Sequence, residues 1–302
     1  MNTRNAGMVM QLEYATIDGR RIRYAASRRP GSPQLLLVNP HPQSILSYTD
    51  WWERLCARFD VVAVDLPNHG GSDADKTVVT VSQQAGFLPK ILDHFGLEHP
   101  HYVGPDIGTP LAVRFMADNP GRLRSAVIGD AAAIGEVEGE LLFRLGAKSR
   151  VARFGVLSPG GPIGGRIYCR IANRVGYKRT RTPDKDRLQD YQRSSTTFAK
   201  LRAQTGFLAS YRNETPELAK VVHTIDTPVL VLHGERDTFV GIGNSRRLAD
   251  ALPNGEFDVI AEAGHYSWED NPEPYLAHVL RWIDQAEGKN LVAPDATESD
   301  NN

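Results

Sequence analysis

The stretch GPDIG at residues 104–108 places a lone carboxylate, Asp106, between two glycines. The apolar pair Tyr102 and Val103 ends just before it, and the helix-like LAVRFMADN follows from Leu111. An aspartate at such a turn either caps the next helix or presents its carboxylate for chemistry. Two later residues favour chemistry. Asp237 closes the strand-like PVLVLHGERD, and His265 closes the strand-like FDVIAEAGH. Nucleophile, acid, histidine is the chain order of nucleophile-elbow enzymes, with Asp where Ser is commoner. That exchange changes the reaction. A serine hydroxyl needs a general base before it attacks. A carboxylate is already anionic near pH 7 and displaces directly at saturated carbon, leaving an alkyl ester on the enzyme. A histidine is then free to activate water against that ester.

Such residues need a scaffold that brings distant strand ends together. QLLLV (34–38), VVAVDLP (61–67), HYVG (101–104), LRSAVIGDA (123–131), PVLVLHGERD (228–237) and FDVIAEAGH (257–265) are strand-length apolar runs. Continuous rather than alternating hydrophobicity predicts strands buried on both faces, hence a parallel sheet. Residues 12–27 predict two short strands around the turn dipeptide Asp18-Gly19. Helical spacing lies between these runs, at 48–59, 80–95, 109–118, 244–252 and 273–286, with Pro89 marking a kink or a late start in the second. The expected fold is α/β, a mostly parallel twisted sheet flanked by helices. Residues 134–220 break the alternation. They hold a glycine-proline cluster, SPGGPIGG, and a basic run, YKRTRTPDKDR (177–187), but no long β run. The expected division is core (1–133), inserted helical cap (134–220), core again (221–290) and disordered acidic tail (291–302).

Composition excludes several classes. Thirty-five basic and 36 acidic residues give a net charge of -1, which points to neither nucleic acid nor an anionic membrane. No apolar run approaches the roughly 20 residues of a membrane helix, and the first ten residues lack the apolar segment of a signal peptide. Cys56 and Cys169 fit no metal spacing, so the expectation is a cytoplasmic protein with reduced thiols and no metal.

NPHPQS (39–44), DLPNHGGSD (65–73), GPDIG (104–108), HGERDTFV (233–240) and GHYSWEDNP (264–272), taken together, resemble α/β-hydrolases of the epoxide hydrolase and haloalkane dehalogenase branch. The resemblance covers about residues 11–287. It implies a cofactor-independent hydrolase acting on a small, largely apolar molecule, and leaves a homodimer open. Asp106 would be the nucleophile, His265 the water-activating base and Asp237 its orienting acid, with Asp130 as the rival acid. NPHP stands where the family usually has H-G-x-P, so the oxyanion would be held by the backbone N–H groups of His41 and Ile107. The imidazole of His41 either contacts substrate or fills space. Two cap tyrosines would support an epoxide oxygen. LASYRN (208–213) nominates Tyr211, and Tyr168 competes with Tyr177 and Tyr191 for the other place. Trp51 is a candidate for the pocket rim, the histidine of HGGSD is read as structural, and the basic run is read as a solvated surface. A dehalogenase of this branch usually has tryptophan after the nucleophile; Ile107 stands there instead. The expected reaction is therefore opening of an epoxide to a vicinal diol. A dehalogenase using the same ester, and a non-catalytic ligand-binding member of the fold, are the alternatives.

Overall fold

The computed structural model describes residues 9–135, 161–179 and 183–288. Eight strands form one sheet: β1 (Glu13–Ile17), β2 (Arg20–Ser27), β3 (Gln34–Val38), β4 (Asp60–Val64), β5 (His101–Val103), β6 (Ser125–Gly129), β7 (Val229–Gly234) and β8 (Gly255–Ile260). Their order is β1-β2-β4-β3-β5-β6-β7-β8. β2 runs antiparallel to both its neighbours, and all other pairings are parallel. Strand alternation divides the core into two layers. Leu36, Val38, Val62 and Val64 face one cluster, while Leu35, Leu37, Val61 and Ala63 face the other.

The described helices are α1 (Trp52–Cys56), α2 (Val81–Ala85), α3 (Leu88–Phe95), α4 (Gly108–Asp118), α5 (Pro162–Val175), α6 (Lys185–Tyr191), α7 (Phe198–Val221), α8 (Ile242–Ala251), α9 (Ser267–Asp270) and α10 (Pro272–Ala286). The single helix expected over 80–95 is two. A capping box of Thr80 and Gln83 starts α2, and α3 begins afresh with Pro89 in its first turn, where a missing N–H is tolerated. The helix expected over 48–59 contracts to a 3₁₀ turn, Ile45–Tyr48, followed by α1.

Between β6 and β7 the described elements, α5, α6 and α7, are helical. The expected insertion at 134–220 spans them; its segment 136–160 lies outside the described residues, as does the tail from 289. Two buried polar networks join these helices to the sheet. In the first, Arg23 on β2 donates to Asp65 after β4 and, through both terminal nitrogens, to Asp190 on α6 at 2.6 and 2.7 Å. Ser44 Oγ donates to the same Asp190 at 2.6 Å. In the second, Glu269 on α9 accepts from Tyr177, Tyr191 and Gln43, and Arg187 pairs with it at 3.0 Å. Tyr177 and Arg187 belong to the basic run, so that run is partly an anchor rather than a solvated surface. No helix among the described residues is long and apolar enough to cross a membrane.

Arg23 is 2% exposed and faces two carboxylates. Removing its charge would strand both. We expect Arg23→Met to lose about 3–5 kcal/mol of unfolding free energy, measured by urea denaturation. A loss under about 1 kcal/mol, the scale of an exposed pair, would refute this account of the anchor.

Candidate active site

β5 ends at Val103, and the chain turns sharply into α4. Asp106 sits at the apex with φ 55, in the left-handed region that few residues other than glycine adopt. The flanking glycines do not themselves carry the strained backbone. Neither has positive φ; both leave room for the Tyr102 ring. A Cβ on Gly104 would lie 2.4 Å from the Tyr102 hydroxyl, which donates to Gly108 O at 2.9 Å. The turn is further held by Asp106 N–H donating to Gly129 O at 2.9 Å.

The carboxylate of Asp106 points at the loop after β3, where Oδ2 accepts the His41 backbone N–H at 2.6 Å. The Ile107 N–H also favours its charged form. The two amides nominated for an oxyanion thus converge on one carboxylate. On the other side, His265 Nε2 lies 3.8 Å from Asp106 Oδ1, and His265 Nδ1 lies 2.8 Å from Asp237 Oδ2. Asp237 Oδ1 accepts the N–H groups of Phe239 and Val240 at 2.7 and 3.1 Å. Phe239 stacks on the imidazole at 5.4 Å. Asp130, the rival acid, accepts instead from Gly234 N–H and from Ser267 Oγ.

Burial pushes Asp106 up to about 6, against the lowering influence of His265 and the two amides. Burial alone would depress His265; the charge and hydrogen bond of Asp237, with Asp106 adding, raise it to about 9. At neutral pH the site is an imidazolium between two carboxylates. Asp237 lies below its usual value because His265 and its other donors outweigh burial. Asp130 is pushed well up by burial and by the Asp237 charge.

The cavity above Asp106 encloses about 560 Å³ including its mouth. Ile107, Ala132, Phe207 and Val240 form its apolar wall. Tyr168 from α5 and Tyr211 from α7 both line it, and the Asp106 charge contributes to raising each phenol, after burial. The competitors are placed elsewhere. Tyr177 and Tyr191 are hydrogen-bonded to Glu269 in the second anchoring network. Trp51 is also displaced from the site: it is 1% exposed, stacks on Tyr275 at 5.2 Å and lines no part of this cavity. Its neighbour Trp52 is buried as well, so neither forms a rim.

Two polar residues of the cavity lining, and Tyr266 near the triad, were not picked out from the sequence. His69, read as a structural turn residue, lines the cavity 5.6 Å edge-on from the His41 ring. Gln204 on α7 lines it too. Tyr266, beside His265, feels the charges of Tyr168 and Asp106. Among the described residues, the side chains able to share a metal ion are Asp130, His233 and Asp237. Their ligand atoms already have partners: His233 Nδ1 is 2.8 Å from Ser245 Oγ and its Nε2 is 3.1 Å from Val240 O.

Comparison with known proteins agrees with this geometry at the level of the fold. An uncharacterized protein of Mycobacterium tuberculosis is 22% identical over 284 residues, covering 91% of this chain and 82% of that protein. A 2-hydroxy-6-oxononadienedioate/2-hydroxy-6-oxononatrienedioate hydrolase of Paraburkholderia phymatum is 25% identical over 246 residues, covering 76% of this chain and 78% of its own. The crystal structure of an esterase from a Rhodococcus species superposes with a TM-score of 0.73 at 20% identity, covering 92% of this chain and all of that one. Residues 42–272 match the family described as the alpha/beta hydrolase fold, and with that match over most of its length the chain belongs to the α/β-hydrolase family.

Proposed function

We propose that the protein hydrolyses an epoxide to a vicinal diol through an alkyl ester on Asp106. The observation that carries this reading is the placement of a carboxylate, rather than a hydroxyl, at the elbow, with the His41 amide on one oxygen and His265 Nε2 facing the other. Asp106 attacks a ring carbon. The C–O bond breaks toward the ring oxygen, which takes a proton from a cavity tyrosine. The His265 imidazolium returns a proton to the tyrosinate, and the neutral ring, held by Asp237, then deprotonates a water that adds to the ester carbonyl. The His41 and Ile107 amides donate to the oxyanion, each worth about 3–4 kcal/mol in comparable acyl chemistry. Collapse releases the diol and restores the Asp106 carboxylate, and His265 ends the cycle as the imidazolium with which it began. Alkylation itself helps the second step. It removes the Asp106 charge that helps raise His265, so the imidazole becomes easier to deprotonate.

The cavity lining favours an epoxide over a halide. Among the described residues it contains no Trp, Arg or Lys to hold a departing anion, but it has two tyrosines positioned over Asp106. The inserted helices therefore act as a catalytic cap in this reading.

Trapping tests the reading. His265→Gln, incubated with styrene oxide, should gain the mass of the intact epoxide on Asp106, read by intact-mass and peptide spectrometry. An adduct that forms only with haloalkanes, with halide lost, would make the enzyme a dehalogenase. No adduct with either electrophile would sink the ester mechanism.

Protonation gives a second test. Asp106 must be ionised to attack, so kcat/KM of the wild type should fall as pH drops through about 6. In His265→Gln the cation that lowers Asp106 is gone. The acid limb of adduct formation should therefore move to higher pH, and a downward or absent shift contradicts the assignment.

The tyrosines give a third. Tyr211→Phe and Tyr168→Phe should each lower kcat/KM for epoxides by about 10²-fold, the lower range for a general acid. Phenylalanine at Tyr177 or Tyr191 should act through stability instead, seen in thermal unfolding.

A further inference from the structure

The cavity lining also includes polar side chains that the ester mechanism does not use: His41, His69 and Gln204. Gln204 donates its side-chain amide to Ser194 O and to Asn68 O. Both partners are carbonyls, so the amide nitrogen must face them, and Oε1 is turned away. Among the described residues nothing donates to that oxygen, and Gln204 lines the cavity. His69 follows Asn68 directly. It is 2% exposed, its ring makes no hydrogen bond among the described residues, and its Nδ1 is sealed from solvent without a partner. His41 Nδ1 is in the same condition. The His69 ring sits edge-on to Phe207 at 6.4 Å, three residues along α7 from Gln204. The two imidazoles lie 5.6 Å apart, and Gln204 is bonded to the carbonyl of the residue that precedes His69.

Buried polar groups without partners are costly and uncommon. Two of them, His41 Nδ1 and His69 Nδ1, belong to residues that line one cavity together with Gln204, and they specify what should fill it. Burial, aided by the His265 charge, depresses His41 to about 4, and burial, aided by His41, takes His69 well below its usual value. Both rings are neutral at pH 7, each with one donor and one acceptor. No Lys or Arg among the described residues lines the cavity, and Asp106 adds negative charge. An anionic substrate group is thus disfavoured. A hydroxyl fits, because it can donate to Gln204 Oε1 while accepting from an imidazole N–H.

We infer that the substrate carries an uncharged hydroxyl beside the reacting ring, and that His69 and Gln204 hold it. This rests on the epoxide-hydrolysis reading for the chemistry, but not for the binding. It changes the expected substrate from a largely apolar molecule to an epoxy alcohol.

Phenylglycidol and β-methylstyrene oxide differ by that one hydroxyl. The wild type should favour phenylglycidol in kcat/KM by about tenfold, the effect of one net hydrogen bond. His69→Phe should reduce the preference toward unity, and His69→Gln, which keeps a donor and an acceptor, should restore part of it. Binding supplies an independent measurement. Asp106→Asn should bind phenylglycidol about tenfold more tightly than its deoxy analogue by calorimetry. Equal Kd values in Asp106→Asn, or a preference that His69→Phe leaves intact, would overturn the inference. If neither epoxide alkylates Asp106 in His265→Gln, the hydrolysis reading fails on its own, while the pair of Kd values still decides the hydroxyl site.

Discussion

Everything at the site depends on holding Asp106 in a left-handed backbone conformation. A non-glycine residue there costs on the order of 1–3 kcal/mol and persists only where its surroundings over-determine it. Those surroundings are three parallel strands ending side by side. β5 lies between β3 and β6. Asp106 N–H is tied to Gly129 at the end of β6, and its carboxylate to His41 beyond the end of β3. Thr109 Oγ1 fastens the first turn of α4 to Gly129, donating to its O and accepting from its N–H, each at 2.8 Å. Parallel pairing brings these ends to one edge, and the turn cannot relax without breaking bonds to both neighbouring strands.

The same edge sorts three carboxylates into different roles. Asp237, Asp130 and Asp106 are all withdrawn from water, and burial pushes each upward. What separates them is what faces them. Asp237 meets an imidazole and two backbone donors, and ends below its usual value. Asp130 meets the charge of Asp237 and ends well above. Asp106 falls between, at about 6, because the imidazolium and two amides offset much of its burial. Carboxylates pushed apart by their environments are what a two-step acid–base cycle requires. In the proposed reaction the ionised Asp237 orients His265, and Asp106, of intermediate basicity, attacks as an anion near neutral pH.

Much of this was legible in the sequence because it is local. Six apolar runs mark the parallel strands, and the residues just past their ends are those that a parallel sheet gathers on one side. That is why Asp106, Asp237 and His265 could be nominated together, while His41 and Ile107 came from the resemblance of NPHPQS and GPDIG to the family's motifs. Pro89 foretold the late start of α3 for an equally local reason. The misreadings involve contacts between segments far apart in the chain. Whether Tyr168, Tyr177 or Tyr191 faces the cavity depends on how α5 and α6 dock, and periodicity carries no sign of docking. Trp51 follows the His41 loop closely, but α10 covers it through Tyr275. His69 was read as a turn residue because its backbone is one, with its N–H and carbonyl bonded inside the loop. Only the approach of α7, more than a hundred residues later, makes its ring part of a cavity wall.

The docking of α5, α6 and α7 therefore determines which molecules the nucleophile can meet. The NPHPQS loop connects that docking to the chemistry. His41 places an amide on Asp106. Two residues on, Gln43 donates to Asn173, Tyr177 and Glu269 while accepting from Trp268 Nε1 at 2.9 Å. Ser44 then reaches Asp190 on α6. A purely apolar interface would tolerate sliding of these helices. A buried polar interface does not, since each displaced partner leaves an unsatisfied group in a low-dielectric interior. The loop that helps polarise the nucleophile thus also sets the register of the inserted helices, and with it the distances from Asp106 to Tyr168 and from His69 to Gln204. In the proposed reaction, reactivity and substrate choice are coupled through six consecutive residues, so changes that loosen the Gln43 network should alter which epoxides are accepted before they alter the Asp106–His265–Asp237 geometry.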